Sequence, residues 1–264
     1  MPEHGGGMRI LITGHKGFIG QNMVKALSDH ELSVCEWGDD YSLYGIDRVI
    51  HLGAISDTRC QDWAALSKQN VSFSLALIAR CQERGIPIQV ASSASVYGPN
   101  NTTFNETDSV EPANMYAKSK ALIEEFVKSL TPKAPIQVFR YFNVYGPHED
   151  HKGEQASPFH KFREQAKAGE IKLFEGSENF KRDFIHVDEV VKIHKQFFDI
   201  ALSGIWNVGT GQTLSFEDVA RLTIRGNPGK ISYIPLPENL VGYQRYTCAD
   251  MRSLNAALLY NTKV

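Results

Sequence analysis

The sequence has few cysteines, almost no net charge and no long apolar run. The four cysteines among the 264 residues are Cys35, Cys60, Cys81 and Cys248. Their spacing matches neither a metal-ligand motif nor a disulfide framework, so we expect reduced thiols and no metal site. A formal net charge of -2 gives no electrostatic basis for binding nucleic acid or an anionic membrane. Because no apolar run approaches the roughly 18 residues of a membrane helix, and no signal-peptide pattern is present, we expect a cytoplasmic protein without a membrane partner.

Short apolar runs alternate with helix-like stretches along the chain. The predicted strands cover 8–13, 32–37, 48–52, 86–91 and 136–142, and the predicted helices cover 18–27, 62–84 and 116–130. This alternation predicts an α/β fold with a Rossmann-type doubly wound parallel sheet, in which ligands bind at the carboxyl ends of the strands. The stretch 38–47 is too short for a helix and another strand. The sheet is therefore expected to lack an edge element.

A glycine-rich turn follows the first predicted strand. Gly14, Gly17 and Gly20 form a G-x-x-G-x-x-G pattern, in which small residues let the backbone and a helix start approach a pyrophosphate. At this position the pattern predicts a dinucleotide site. Glu36 ends the second strand, where a carboxylate binds ribose hydroxyls and repels a 2'-phosphate, which favours NAD. Lys16, inside the turn, favours a 2'-phosphate, so NADP stays an alternative cofactor.

Tyr116 and Lys120 are four residues apart at the start of a predicted helix and therefore share one face. An ammonium group beside a phenol favours phenolate, as does a positive nicotinamide ring, and a tyrosine with a lowered pKa can accept a proton from a substrate hydroxyl. Chance places Tyr and Lys at this spacing in many helices, so the neighbouring motifs decide the interpretation. Residues 90–98, V-A-S-S-A-S-V-Y-G, bring hydroxyls to a strand end, and Ser93 is the predicted donor to the reacting oxygen.

Further motifs occur in a fixed order along the chain. They are H-L-G-A at 51–54, Y-A-K-S-K at 116–120, R-Y-F-N-V-Y-G-P at 140–147 and R-D-F-I-H-V-D-E-V at 182–190. Together with the glycine turn and segment 90–98, they make the sequence resemble the extended short-chain dehydrogenase/reductases. The resemblance implies a catalytic triad of Ser93, Tyr116 and Lys120. The cofactor contacts that we expect besides the three glycines and Glu36 are Lys16, Phe18, Ile19, Leu52, Gly53, Ala54, Asn70, Tyr116 and Lys120.

Two segments resemble the branch of this family that epimerises ADP-heptoses. Residues 173–184, L-F-E-G-S-E-N-F-K-R-D-F, are similar to a substrate-lobe segment of those enzymes, and H-K-G at 151–153 follows R-Y-F-N-V-Y-G-P at the same distance. The likeness implies that Lys152 is a second acid/base opposite Tyr116. The implied substrate contacts are Ser93, Asn143, Lys152, Phe174, Arg182 and Tyr243, with Asn143 and Arg182 on the diphosphate. The implied function is NAD(P)-dependent epimerisation of a nucleotide-diphosphate sugar through a transient ketone.

Other functions stay open. A nucleotide-sugar 4-epimerase or a ketosugar reductase shares Ser93, Tyr116 and Lys120 without needing Lys152. A non-catalytic dinucleotide-binding sensor is expected if the shortened sheet edge has abolished turnover. A 4,6-dehydratase is disfavoured, because that chemistry needs an acidic pair near the strand-end serine, where Ala94 and Ser95 stand.

The expected domain organisation has three parts. Residues 1–7 form a polar tail or a remnant of cloning, 8–143 form the Rossmann domain, and 144–264 form mainly a substrate-binding lobe, with segment 183–212 packing back on the first domain. The resemblance also implies a homodimer that pairs the helices 62–84 and 116–130. The apolar side chains offered for that interface are equally typical of a core, and they are Trp63, Leu66, Phe73 and Leu77.

Overall fold

Helices and strands alternate through the first half of the chain, as predicted. The computed structural model describes residues 7–100, 102–225, 229–237 and 244–260. The first-half elements are β1 (Arg9–Thr13), α1 (Phe18–Ala26), β2 (Glu31–Cys35), β3 (Arg48–His51), α2 (Trp63–Leu66), α3 (Phe73–Arg84), β4 (Ile88–Ser93), β5 (Thr102–Phe104), α4 (Met115–Ser129) and β6 (Ile136–Tyr141). The later elements are β7 (Asn143–Tyr145), α5 (Pro158–Lys167), β8 (Glu170–Phe174), β9 (Lys181–Arg182), β10 (Phe184–His186), α6 (Val187–Gln196), β11 (Gly204–Val208), β12 (Leu214–Ser215), α7 (Phe216–Ile224), β13 (Lys230–Ile234), β14 (Tyr246–Ala249) and α8 (Arg252–Tyr260).

Six strands form the central sheet in the order β2-β1-β3-β4-β6-β11, and every neighbouring pair is parallel. The predicted Rossmann-type doubly wound sheet is confirmed. The inner strands are buried on both faces because helices cover both sides, and every residue of β3 and β6 is buried. β2 forms one edge, and the chain passes from it to β3 without another strand. The predicted loss of an edge element is therefore observed, and it leaves Val34 of β2 44% exposed.

The predicted helix 62–84 contains a break in its regular hydrogen bonding. Asp62 caps it by accepting a hydrogen bond from the Ala65 amide at 3.0 Å, and a π-helical turn at Ser67–Ser72 separates α2 from α3. Leu66 and Leu77 are fully buried. These two side chains therefore belong to the core and offer no surface for the expected dimer, which stays a prediction.

The second half of the chain contributes to two regions. β11 joins the central sheet beside β6, and α6 packs against α1. An outer lobe consists of α5, β8, α7 and β13, in which β8 pairs with β13 in parallel and α5 packs on α7. The small core of this lobe consists of Ala166, Ile171, Leu173 and Ala220. Within the described ranges, no helix is long and apolar enough to cross a membrane.

A buried ion pair attaches α4 to the sheet. Arg140 of β6 is 0% exposed, and its Nη2 donates to Oε2 of Glu124, which is 1% exposed, at 2.5 Å. The other carboxylate oxygen of Glu124 accepts from Ser92 Oγ at 2.6 Å. The guanidinium also lies over the Tyr97 ring, 4.6 Å from its centroid, which is a cation–π contact. The rotation of α4 about its axis is therefore fixed by groups that water does not reach.

We expect Glu124→Gln to lower the free energy of unfolding by about 3 kcal/mol, because it leaves a buried guanidinium without its counter-charge. Urea denaturation checks this. The matched control is Glu125→Gln, an exposed neighbour on the same helix, which should change stability by no more than about 0.5 kcal/mol. Equal effects of the two substitutions would contradict the role of the pair.

Candidate active site

Two adjoining clefts open at the carboxyl ends of the central strands. We call the first, of about 200 Å³, the glycine cleft, and the second, of about 530 Å³, the serine cleft. The predicted cofactor residues that line the glycine cleft are Gly14, Gly17, Phe18, Ile19, Gly20, Glu36, Leu52, Gly53, Ala54, Tyr116 and Lys120. The predicted substrate residues that line the serine cleft are Ser93, Asn143, Lys152 and Arg182. Most of the predicted site residues are thus brought together.

The glycine turn permits backbone approaches that a side chain would block. Gly14 has φ +72°, and a Cβ there would lie 2.5 Å from the Gly53 Cα. A Cβ on Gly20 would lie 2.0 Å from the Gly14 carbonyl oxygen. α1 begins immediately after Gly17, so its unpaired amides face the cleft. This cradle fits the pyrophosphate of a dinucleotide, which binds well at a helix N-terminus.

Glu36 lies just beyond β2 with its side chain on the glycine cleft. Its Oε1 accepts the Lys16 backbone N–H at 2.9 Å and lies 3.1 Å from His15 Nδ1. A carboxylate held in this way suits ribose hydroxyls and repels a 2'-phosphate. Lys16 differs from the expectation, because its side chain is exposed and the residue does not line the cleft. Lys16 therefore contributes its backbone N–H, which holds Glu36, and not its ammonium group.

The three residues of the expected triad meet where the clefts join. Ser93 ends β4, and Tyr116 lies in the first turn of α4, where Asn114 caps the helix by accepting the Ala117 amide at 2.8 Å. Tyr116 lines both clefts. One turn further along, Lys120 Nζ donates to the Ala91 carbonyl at 2.8 Å.

Burial dominates the protonation of these groups. It raises the pKa of Tyr116, and a hydrogen bond with Ser93 lowers it by less. Burial also lowers the pKa of Lys120 to about 8, although Glu124 opposes this. The protein's own groups, taken together, thus do not lower the Tyr116 pKa, and the positive nicotinamide ring, which we also expect to favour the phenolate, is not among them. Tyr116 is a phenol here, and an added positive charge is needed before it can act as a base.

Lys152 enters the site from the 3-10 segment Asp150–Gln155 and lines both clefts. Its Nζ lies 4.8 Å from the Phe18 ring centroid and 3.7 Å from Glu149 Oε2. Burial lowers its pKa, the Glu149 carboxylate raises it, and Lys161 lowers it. Lys152 and Tyr116 are therefore contributed to the same junction by different parts of the chain.

Glu149 was missed by the sequence analysis. It is 1% exposed and accepts hydrogen bonds from the Gly146 amide at 3.0 Å and from the Ser157 amide and hydroxyl at 2.6 and 2.7 Å. It thereby fixes both ends of the loop that carries Lys152. The spacing of three residues between a carboxylate and a lysine was the available signal, but in most proteins it only marks an exposed pair.

Tyr141 was also missed, although it lies inside the R-Y-F-N motif. It lines both clefts, and its hydroxyl is 2.6 Å from His194 Nε2. Burial raises the pKa of Tyr141. It therefore supplies a neutral, fixed wall beside Tyr116.

The predicted substrate residues are anchored by backbone groups. Asn143 Nδ2 donates to the Asp183 carbonyl at 3.0 Å, and Arg182, only 5% exposed, donates through Nη1 to the Lys181 carbonyl at 2.8 Å. Phe174 lies outside the serine cleft, in an adjacent aromatic pocket described below. Tyr243 lies outside the described residues.

Asn70 is placed differently from the expectation of a direct cofactor contact. It is 0% exposed and lines neither cleft. Its amide accepts from the Ile55 N–H at 2.8 Å and donates to the Ile55 carbonyl and the Ser119 hydroxyl, each at 3.0 Å. Asn70 therefore supports the cleft from behind, because its side chain is occupied by the protein.

Comparison with known proteins agrees with this geometry. Residues 39–209 match the NAD dependent epimerase/dehydratase family. The Helicobacter pylori ADP-L-glycero-D-manno-heptose-6-epimerase superposes with a TM-score of 0.82 at 25% identity, covering 97% of this chain and 91% of that one. MoeE5, solved with UDP-glucose and NAD, gives 0.75 at 26% identity over 95% and 92%. The Thermus thermophilus UDP-glucose 4-epimerase, solved with NAD, gives 0.76 at 24% identity over 94% and 92%.

Because the match covers more than half of the chain, this protein belongs to the NAD-dependent epimerase/dehydratase family. The predictions of an extended short-chain dehydrogenase/reductase, of an enzyme of the epimerase class and of NAD as its cofactor are confirmed. Among the described residues, no cluster of three or more His, Cys, Asp or Glu side chains could hold a metal ion.

We expect Glu36→Gln to reduce the preference for NAD over NADP by about 10-fold, measured as the ratio of the two dissociation constants. The amide oxygen can still accept the Lys16 N–H, but the negative charge that repels a 2'-phosphate is lost. Glu31→Gln, on the exposed start of β2, is the control and should leave the ratio unchanged. An unchanged ratio in Glu36→Gln would show that this carboxylate does not select the cofactor.

Proposed function

We propose that this chain epimerises the sugar of a nucleotide-diphosphate sugar through a transient ketone. The observation that carries the proposal is that Tyr116 and Lys152 both line the junction of the two clefts. Inversion at a carbinol carbon requires proton transfer at its oxygen while the carbon is approached from either face. Two groups of suitable chemistry at one junction meet this requirement.

The serine cleft suits the diphosphate. Arg182 brings a guanidinium and Asn143 an amide to the same cleft wall, and guanidinium groups bind phosphate oxygens in two-pronged geometry. The carboxylate that lines this cleft belongs to Glu154, two residues after Lys152 in the sequence. An anionic linker is therefore favoured between the sugar end and the outer lobe.

The adjacent aromatic pocket suits the nucleoside. It has a volume of about 290 Å³, and its lining includes Phe174, Phe180, Phe216 and Lys161. Pro158 belongs to both this pocket and the serine cleft, so the two are continuous. Aromatic side chains beside a phosphate-binding cleft provide stacking faces for a base. This gives the predicted substrate residue Phe174 a role at the far end of the ligand.

The protein's own groups define the acid/base chemistry. NAD, when bound in the glycine cleft, supplies a hydride acceptor and donor together with a positive charge. That charge favours the Tyr116 phenolate, which removes the proton of the sugar hydroxyl while Ser93 hydrogen-bonds the same oxygen. Lys152 holds or returns a proton from the other side of the junction, and burial, which lowers its pKa, favours release of its proton. No net redox change results.

ADP-heptose is the substrate that we propose first. Residues 173–184 and Lys152 carry the likeness to the ADP-heptose epimerases, and the Helicobacter pylori enzyme of that name covers nearly the whole chain. A 4-epimerase or a ketosugar reductase uses Ser93, Tyr116 and Lys120 alone. The position of Lys152 on both clefts favours the first function over these two.

The test is to incubate the purified protein with NAD and a panel of ADP-, UDP-, GDP- and dTDP-sugars, and to follow the stereochemistry of each sugar by NMR. Interconversion of one epimer pair without accumulation of NADH is expected, with ADP-heptose as the reacting sugar. Steady NADH production would contradict the epimerase mechanism. Binding of NAD without turnover of any sugar would favour the non-catalytic sensor.

We expect Lys152→Met to lower kcat for epimerisation by at least about 100-fold, because it removes an acid/base group while keeping an apolar stem against Phe18. The dissociation constant for NAD, measured separately, should change by less than about 3-fold. Lys167→Met, an exposed lysine of the outer lobe, is the control and should leave kcat unchanged. A kcat near that of the unmodified protein in Lys152→Met would favour the reductase or 4-epimerase alternative.

A further inference from the structure

A continuous series of hydrogen-bonded, buried polar side chains, which we call the hydrogen-bond chain, runs behind the glycine cleft. Its members are Thr13, His51, Ser74, Asn70 and Ser119, each no more than 2% exposed. None of them lines either cleft. Burying five polar side chains is unfavourable unless each is hydrogen-bonded, so their arrangement calls for a role beyond packing.

The first half of the hydrogen-bond chain leads from the loop after β3 to the π-helical turn. The Gly53 amide donates to Thr13 Oγ1 at 3.1 Å, and Thr13 Oγ1 lies 2.6 Å from His51 Nδ1. On the other side of the ring, His51 Nε2 lies 2.7 Å from Ser74 Oγ. The Ser74 hydroxyl donates to the Asn70 backbone carbonyl, at the π-helical turn.

These contacts fix the direction of every hydrogen bond. A carbonyl only accepts, so the Ser74 proton is committed to Asn70 and Ser74 Oγ accepts from His51 Nε2–H. A neutral imidazole with its proton on Nε2 has an acceptor at Nδ1, which therefore receives the Thr13 hydroxyl proton. Thr13 Oγ1 in turn accepts from Gly53. Burial, with Lys120 nearby, lowers the pKa of His51 to about 3, so the ring stays neutral at ordinary pH.

The second half leads from Asn70 to the catalytic helix. The Asn70 side chain binds both backbone groups of Ile55, and its Nδ2 also donates to Ser119 Oγ at 3.0 Å. The Ser119 hydroxyl donates to the Tyr116 carbonyl at 2.7 Å. The hydrogen-bond chain thus begins and branches at the loop 53–55, which forms a wall of the glycine cleft. It ends on Tyr116, the residue that we assign as the base.

We propose that this hydrogen-bond chain, Thr13–His51–Ser74–Asn70–Ser119, is a positioning device that couples the loop 53–55 to the first turn of α4. Ordering of either end stabilises the other, so binding of NAD against Gly53 and Ala54 aligns Tyr116. The part of this inference that concerns Tyr116 rests on the proposed function. The part that concerns NAD does not, since NAD binding can be measured without any sugar.

The test is a double-mutant cycle on NAD affinity with Thr13→Val and Ser119→Ala, which remove one hydroxyl from each end of the hydrogen-bond chain. Isothermal titration with NAD alone gives the dissociation constants. We expect each single substitution to weaken binding by about 5- to 10-fold, the usual worth of a buried hydrogen bond. We expect NAD binding by the double variant to be weakened by about the same factor, because one break already interrupts the hydrogen-bond chain.

Three results would overturn the coupling. One is a double variant weakened by the product of the single factors, which means that the ends act independently. Another is an unchanged NAD affinity in both single variants with a lowered melting temperature, which is the signature of a purely structural role. The third is a loss of affinity in Thr13→Ser, the matched control that keeps the hydroxyl and should stay within about 2-fold of the unmodified protein.

A measurement on the unmodified chain covers the case in which the variants fail to fold. In a histidine-¹⁵N-labelled sample, the His51 ring should show a proton on Nε2 and none on Nδ1 between pH 5 and 8, and its resonances should shift when NAD binds. His51→Gln identifies the signal. A proton on Nδ1, or resonances that do not respond to NAD, would overturn the proposal.

Discussion

The buried ion pair between Arg140 and Glu124 is the interaction on which the site geometry depends. Arg140 belongs to the sheet and Glu124 to α4, so the pair sets how the helix lies over the strand ends. The Ser92 hydroxyl, one residue before Ser93, completes the contact. Ser93, Tyr116 and Lys120 therefore reach one junction because a charge pair that is hidden from water holds their two elements together.

A second constraint comes from the backbone at the glycine turn. Gly14 and Gly53 approach so closely that a side chain on Gly14 would force the ends of β1 and β3 apart. The hydrogen-bond chain starts at this contact, since Thr13 and Gly53 are hydrogen-bonded there. The cofactor side of the site is thus fixed by close backbone contact, and the catalytic side by the ion pair. The proposed coupling joins these two rigid parts.

The sequence allowed the fold and much of the site to be predicted, because the signals concerned are local. Strand-turn-helix patterning placed the glycine turn, and the length of 38–47 alone indicated the missing edge element. Side-chain direction was less accessible. Lys16 and Asn70 stand in the right segments, but the first points to solvent and the second into the protein, which depends on packing between elements distant in sequence. Burial also raises the Tyr116 pKa, an effect that a linear pattern does not show.

In the function that we propose, the sugar carbon is inverted by removal and return of the same hydride. The most direct measurement uses a nucleotide-diphosphate sugar with deuterium at the epimerising carbon, incubated with NAD and the protein in ordinary water and examined by NMR. Both epimers are expected to keep the deuterium at that carbon. Replacement of the deuterium by solvent hydrogen during inversion would mean that the carbon loses a proton instead, and would contradict the role assigned to Tyr116 and Lys152.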